Sequence, residues 1–125
     1  MSGLTLDTGA LIAFERADRK VIALLQSALE NRLEICVPTA VVAQVWRDGR
    51  RQARLARLLR DNRVLVEPLE DQRSRAIGQL LGVTHTTDIV DAAVVLGAKA
   101  RRHAVATSDR GDLRRLAPAL RLIPV

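Results

Sequence analysis

Hydrophobic positions in this chain fall into short runs that alternate with longer periodic stripes, and the two patterns predict strands and helices in turn. Apolar runs at residues 4–6, 34–37, 64–66, 104–107 and 120–123 are too short for helices and read as strands. Thr8-Gly9-Ala10-Leu11-Ile12 predicts a short helix directly after the first of them. Val21, Leu24, Leu25, Ala28 and Leu29 keep the i, i+3, i+4, i+7, i+8 spacing of an amphipathic helix that opens on Asp18 as N-cap and stops near Asn31. Pro38 closes the second strand, and Thr39 is available to cap a helix running to about Trp46. Gly49 interrupts that stripe. From Arg51 a better-phased one, with Leu55, Leu58 and Leu59 opposite Arg54, Arg57 and Arg60, predicts a separate helix. Ala76, Ile77, Leu80 and Leu81 mark a helix over 71–81 that Gly82 is expected to end. Thr87 as N-cap, with an acid at 88 in the first turn, predicts a helix to about Arg101, and a short helix is expected around 113–116.

Strands separated by one or two helices indicate an α/β domain, a mainly parallel central sheet of four to five strands with helices on both faces. No repeat, linker or low-complexity tract divides residues 1–125, so a single domain is expected. In open sheets of this kind the functional site lies beyond the carboxyl ends of the strands. Two acids fall there: Asp7 after the first strand and Asp109 after the fourth.

Composition narrows the picture further. Hydrophobic residues make up 48% of the chain, yet there is one Phe, one Trp and no Tyr, so the core must be aliphatic. The single cysteine, Cys36, sits in an apolar run and reads as a buried hydrophobe, which excludes an internal disulfide and a cysteine-based zinc site. His85 and His103 read as solvent-facing loop and helix-end residues. No leader-like segment and no membrane-length apolar run is present, which places the protein in the cytoplasm with no membrane partner. Twenty Lys plus Arg against 14 Asp plus Glu leave a net charge of +6, and only Lys20 and Lys99 are lysines. Such an arginine-rich surface suits phosphate, although arginine enrichment also follows from genome composition.

The candidate chemistry is acidic. Asp88 and Asp91, three apart, share one face of their helix. Each acid alone reads as a cap or a solvated residue; clustered with Asp7 and Asp109 they form a set that repels itself. Two unit charges about 4 Å apart cost roughly 4 kcal/mol at an effective dielectric near 20, so such a cluster needs protons or a cation. Carboxylate oxygens with water describe a Mg²⁺ or Mn²⁺ site, and with basic helices nearby the natural chemistry is hydrolysis of a phosphodiester. Arg47, Arg50, Arg51 and Arg110 are the candidate contacts to the phosphate backbone, against a plain reading as solubilising residues. Gly9 stands where a phosphatase using Asp7 as nucleophile would carry a second acid, and no glycine-rich phosphate loop is present. Trp46 reads either as a partner anchor or as core.

Four stretches together resemble the PIN-domain ribonucleases, specifically the VapC toxins of bacterial toxin-antitoxin pairs: Leu6 to Ile12, Val37 to Ala43, Asp91 to Val95 and Val105 to Leu113. The resemblance covers essentially the whole chain and rests on order, spacing and length across all four. It implies a PIN-like three-layer sandwich, Mg²⁺- or Mn²⁺-dependent endoribonuclease activity on RNA, a homodimer and inhibition by a VapB-like antitoxin. Position by position, Asp7, Asp91 and Asp109 match the family's first, third and fourth acids, and Asp112 matches an additional acid. Thr8 and Ser108 stand where small hydroxyl residues neighbour those acids. The family's second acid, a glutamate, is replaced by Gln44. Three readings stay open: a site working on three acids, Asp88 supplying the missing charge, or a weak or inactive RNA- or partner-binding module.

Overall fold

The computed structural model describes residues 2–125. Five strands form one sheet, β1 (Gly3–Leu6), β2 (Glu34–Pro38), β3 (Val64–Glu67), β4 (Ala104–Thr107) and β5 (Leu122–Pro124), in the order β3-β2-β1-β4-β5, and every neighbouring pair is parallel. The register sets Leu4 beside Ile35 on one side and Ala104 on the other. β1 and β4 are buried along their whole length, while the edge strands β3 and β5 are only partly so. That explains the sequence pattern: strands covered on both faces read as continuous apolar runs rather than alternating ones.

Among the described residues seven helices join the strands: α1 (Thr8–Glu15), α2 (Arg19–Glu30), α3 (Thr39–Val45), α4 (Ala53–Arg60), α5 (Asp71–Thr84), α6 (Ile89–Arg101) and α7 (Arg110–Leu116). β1 leads outward to β2 and then β3, whereas the chain returns past β1 to reach β4 and β5. Right-handed crossovers therefore lay α1–α4 on one face and α5–α7 on the other. Within these groups α1 meets α2, α3 and α4 while α6 meets α5 and α7, and α3 also meets α6. The core is aliphatic, with Leu4, Leu6, Leu11, Ile35, Val37, Val41, Leu55, Val94, Val95, Val105 and Leu113 all at most 1% exposed. Cys36 is buried, and burial followed by the Glu67 charge pushes its thiol up to about 11. Among the described residues no single helix is long and apolar enough to cross a membrane.

Several boundaries differ from the sequence reading, each for a local reason. Asp88, not Thr87, caps α6: its backbone is extended (φ −83°, ψ 100°) and its carboxylate accepts from the Asp91 N–H. Thr39 is the first residue of α3, and Pro38 holds the cap position with no side-chain bond. α4 opens after Gln52 rather than at Arg51. The buried Gln52 amide accepts from the N–H groups of Arg47 and Asp48 and donates to the Val45 carbonyl and Glu15, tying the α3–α4 turn together. Gly82 does not end α5, which runs to Thr84 and closes at His85 in the left-handed region (φ 56°). A helical glycine costs only about 1 kcal/mol, less than the cooperative gain of continuing. α7 starts at Arg110 because Asp109 caps it, and β5 begins at Leu122.

His103 is the largest departure. It is buried, with Nδ1 bonded to Thr5 Oγ1 at 3.0 Å and Nε2 at 3.0 Å from Glu34 Oε1. Arg101 spans Glu34 (3.0 Å) and Glu67 (2.8 Å), and Arg73 adds a bond to Glu67 at 3.1 Å. His85 is exposed, as the sequence suggested.

Candidate active site

The order β3-β2-β1-β4-β5 reverses direction at β1 and β4, and the crevice at their carboxyl ends is the topological switch point where open α/β sheets bind ligands. Asp7 stands at the end of β1. Its N–H donates to the Ala106 carbonyl at 3.2 Å, prolonging the β1–β4 ladder, while its carboxylate caps α1 by accepting from the Ala10 N–H at 2.8 Å. Asp109 follows β4 by two residues. Its N–H donates to Thr107 Oγ1 at 2.9 Å, and its carboxylate caps α7 with a longer 3.4 Å bond from the Asp112 N–H. Asp88 caps α6 through the Asp91 N–H at 2.9 Å. Each acid thus caps its own helix, and each cap turns the partial positive charge of a helix N-terminus toward a carboxylate.

Asp91 feels all of them. Burial first, then the charges of Asp88, Asp112, Asp7 and Asp109, push its carboxyl up to about 6. Asp7, only 5% exposed, is also raised, mainly by burial and less by Asp109, while Thr107 and the N–H groups of Ala10 and Gly9 pull it the other way. Asp112 is raised chiefly by its hydrogen bond with Asp109. Asp88, Asp91 and Asp112 line a cleft of about 230 Å³ together with Thr86, Thr87 and Arg115.

The hydroxyl neighbours are specific in their contacts. Thr8 Oγ1 donates to Gln44 Oε1 at 2.6 Å, joining the start of α1 to α3. Ser108 packs on Gly9 so closely that a Cβ at Gly9 would land on Ser108 Oγ and 2.9 Å from its Cβ. The proposed phosphate contacts are less concentrated. Arg47, Arg50, Arg51 and Arg110 are all exposed. Arg47 turns its guanidinium to the Trp46 carbonyl (2.7 Å), Arg50 borders a groove beside Trp46, and Arg51 stands 3.9 Å from Asp48. Trp46 is 37% exposed, so it is not core. Sequence reasoning missed Arg115. It is three residues beyond Asp112 on α7, which was a readable signal that the two share a helix face.

Among the described residues no three His, Cys, Asp or Glu side chains are drawn together as a ligand set. The donors that share the electrostatic neighbourhood of Asp91 are nevertheless all carboxylates, with neither histidine nor cysteine beside them, which is the chemistry of a hard cation. A small divalent ion of this type needs only one or two carboxylates and completes its shell with water, so the donor set fits one without a protein cage.

By fold the chain is a PIN-like α/β domain, with all five strands parallel. It superposes on a toxin-antitoxin complex from Klebsiella pneumoniae with a TM-score of 0.70 at 15% identity, covering 97% of this chain and 96% of that one. The structure of FitAB bound to an IR36 DNA fragment matches with a TM-score of 0.65 at 18% identity over 97% and 94%, and FitAcB from Neisseria gonorrhoeae with 0.63 at 20% over 96% and 96%. At these identities the likeness is one of fold. No protein-family model matches the sequence, and no curated protein matches it either.

Proposed function

We propose that the chain is a Mg²⁺- or Mn²⁺-dependent endoribonuclease of the VapC type, a cytoplasmic toxin held in check by a VapB-like antitoxin. The observation that carries this reading is placement: Asp7 and Asp109 follow β1 and β4 at the switch point of the sheet, Asp88, Asp91 and Asp112 line one cleft, and the charges of Asp7 and Asp109 reach Asp91. Asp7, Asp91 and Asp109 are the residues that would hold the ion, with Asp88 and Asp112, which line the cleft together with Asp91, adding negative charge. When bound, such an ion supplies Lewis acidity toward the phosphoryl oxygens of RNA. The chain's part is to fix the carboxylates: the helix caps at positions 7, 88 and 109 orient them, and Gly9 lets Ser108 close over the start of α1. Thr8 holds the Gln44 carbonyl, which leaves the Gln44 amide as a donor rather than a charge. Partner control is supported by the fold shared with a toxin-antitoxin complex, and a homodimer is part of the same proposal.

Gln44 also favours a second reading, in which the domain binds RNA or a partner without cutting. One experiment separates them. RNA is incubated with Mn²⁺ or Mg²⁺ and the native chain, Asp7→Asn or Asp91→Asn. Metal-dependent cleavage lost in both variants is the expected result. RNA that is bound but left whole by the native chain overturns the nuclease reading in favour of the binding module.

A further inference from the structure

The acidic cleft has one cationic wall. Arg115 lines it opposite no other base, and among the described residues it has no ion-pair partner within 4 Å, although Asp112 lies one turn before it and Asp88 and Asp91 share the cleft. Arg115 thus stands beside several carboxylates and is committed to none, although a bidentate pair with one of them is a geometry open to it. The cost of staying free is small: exposed pairs are worth at most about 1 kcal/mol. The other arginines singled out for RNA do not stand on this wall.

We propose that Arg115 is a phosphate clamp, holding one phosphate of the RNA strand against the cleft while the aspartates face the bond to be cut. This rests on the nuclease reading for its substrate, but the contact itself is a matter of charge and shape. A strand of phosphates is repelled by Asp88, Asp91 and Asp112, so a guanidinium on the same wall offsets that repulsion where the strand must enter. Its planar fork offers two parallel N–H donors to two phosphate oxygens, a geometry lysine cannot reproduce. The position also follows from the helix: Asp109, Asp112 and Arg115 are spaced by three, so one face of α7 carries both the acids and the clamp. Thr86 and Thr87 line the same cleft, the Thr86 hydroxyl being bonded to Thr84 Oγ1 at 2.8 Å.

The test uses the full chain, a fluorescein-labelled single-stranded RNA oligonucleotide and four proteins: native, Arg115→Ala, Arg115→Lys and Arg114→Ala, the last an exposed neighbour on α7 that does not line the cleft. RNA affinity is read by anisotropy at several salt concentrations, and Mn²⁺-dependent cleavage gives KM and kcat. For Arg115→Ala we expect affinity to fall, and KM to rise, by about tenfold, with the salt slope smaller by about 0.7, the value of one single-strand phosphate contact. Arg115→Lys recovers only part of this, Arg114→Ala stays within twofold of native, and Mn²⁺ affinity is not weakened. If Arg115→Ala binds RNA as native does, or Arg114→Ala loses as much, the clamp is overturned while the nuclease stands. If native protein binds RNA through Arg115 but does not cut it, the nuclease reading fails and the clamp survives. Absence of RNA binding by the native chain overturns both.

Discussion

Asp91 couples protonation to stability and, under the proposed function, to cation binding. Its carboxyl titrates near 6 in the folded chain against an ordinary value of 3.8, so between about pH 4 and 6 the folded state holds more protons than the unfolded one. Stability on this account falls as pH rises through that window and stays lower above it. The two-unit shift corresponds to about 3 kcal/mol, and solvent screening at a half-exposed group leaves roughly 1 kcal/mol. Asp91→Asn is therefore expected to raise Tm by about 4 °C at pH 7 without metal and to change it little at pH 4, as thermal melts at the two pH values will show. A cation must compete with the same proton, so at subsaturating Mn²⁺ the cleavage rate is expected to climb from pH 5 to 7, a profile that Asp91→Asn abolishes along with activity. Gln44 offers the reverse experiment. In Gln44→Glu the Thr8 hydroxyl would donate to a carboxylate instead of an amide, so Mn²⁺ should bind several-fold tighter by titration calorimetry; unchanged binding would place position 44 outside the ion's reach. Both residues were legible from spacing and resemblance. The titration of Asp91 was not, because it depends on burial and on charges brought from two other segments, at Asp7 and at Asp109 and Asp112.

At the level of elements, the chain uses one device for two purposes. Asp18 caps α2 through the N–H groups of Lys20 and Val21, far from the cleft, and Asp18→Ala is expected to cost about 1 kcal/mol with cleavage unchanged, measured by urea unfolding and an RNA assay. Asp7, Asp88 and Asp109 are caps as well, yet their helices start at the carboxyl end of the sheet, so the same substitution there also removes one of the charges that act on Asp91. Sequence reading recognised these aspartates but could not separate cap from site, since both roles favour an acid before a helix. The contact of α1 with the β4–α7 turn is a sharper constraint. Gly9→Ala would gain about 1 kcal/mol of helix propensity, but overpacking against Ser108 costs about 1–3 kcal/mol. Net destabilisation of about 1 kcal/mol is expected by urea unfolding, with Ser108→Gly restoring most of it. Failure of that rescue would mean the strain lies elsewhere.

The whole molecule carries opposed fields: net +6 across the chain and a cluster of aspartates at one end of the sheet. Long-range attraction brings a polyanion to the surface, and only a cation or a local arginine lets it enter the cleft. A metal that binds the folded chain alone must stabilise it, by about 2.7 kcal/mol at a concentration a hundred times Kd. Mg²⁺ or Mn²⁺ is thus expected to raise Tm of the native chain by several degrees and that of Asp7→Asn or Asp91→Asn by much less, which a melt series in metal will reveal. The sequence by itself determined the alternation of strands and helices, the aliphatic core and the acids that end β1 and precede α7. Those follow from periodicity and local capping, which act over a few residues. Tertiary structure alone decided that His103 is buried against Thr5 and Glu34, that Trp46 is exposed, that Thr8 meets Gln44 and that Arg115 faces the acids. Each depends on which elements lie side by side in the sheet, and contacts between segments distant in the chain leave no periodic trace along it.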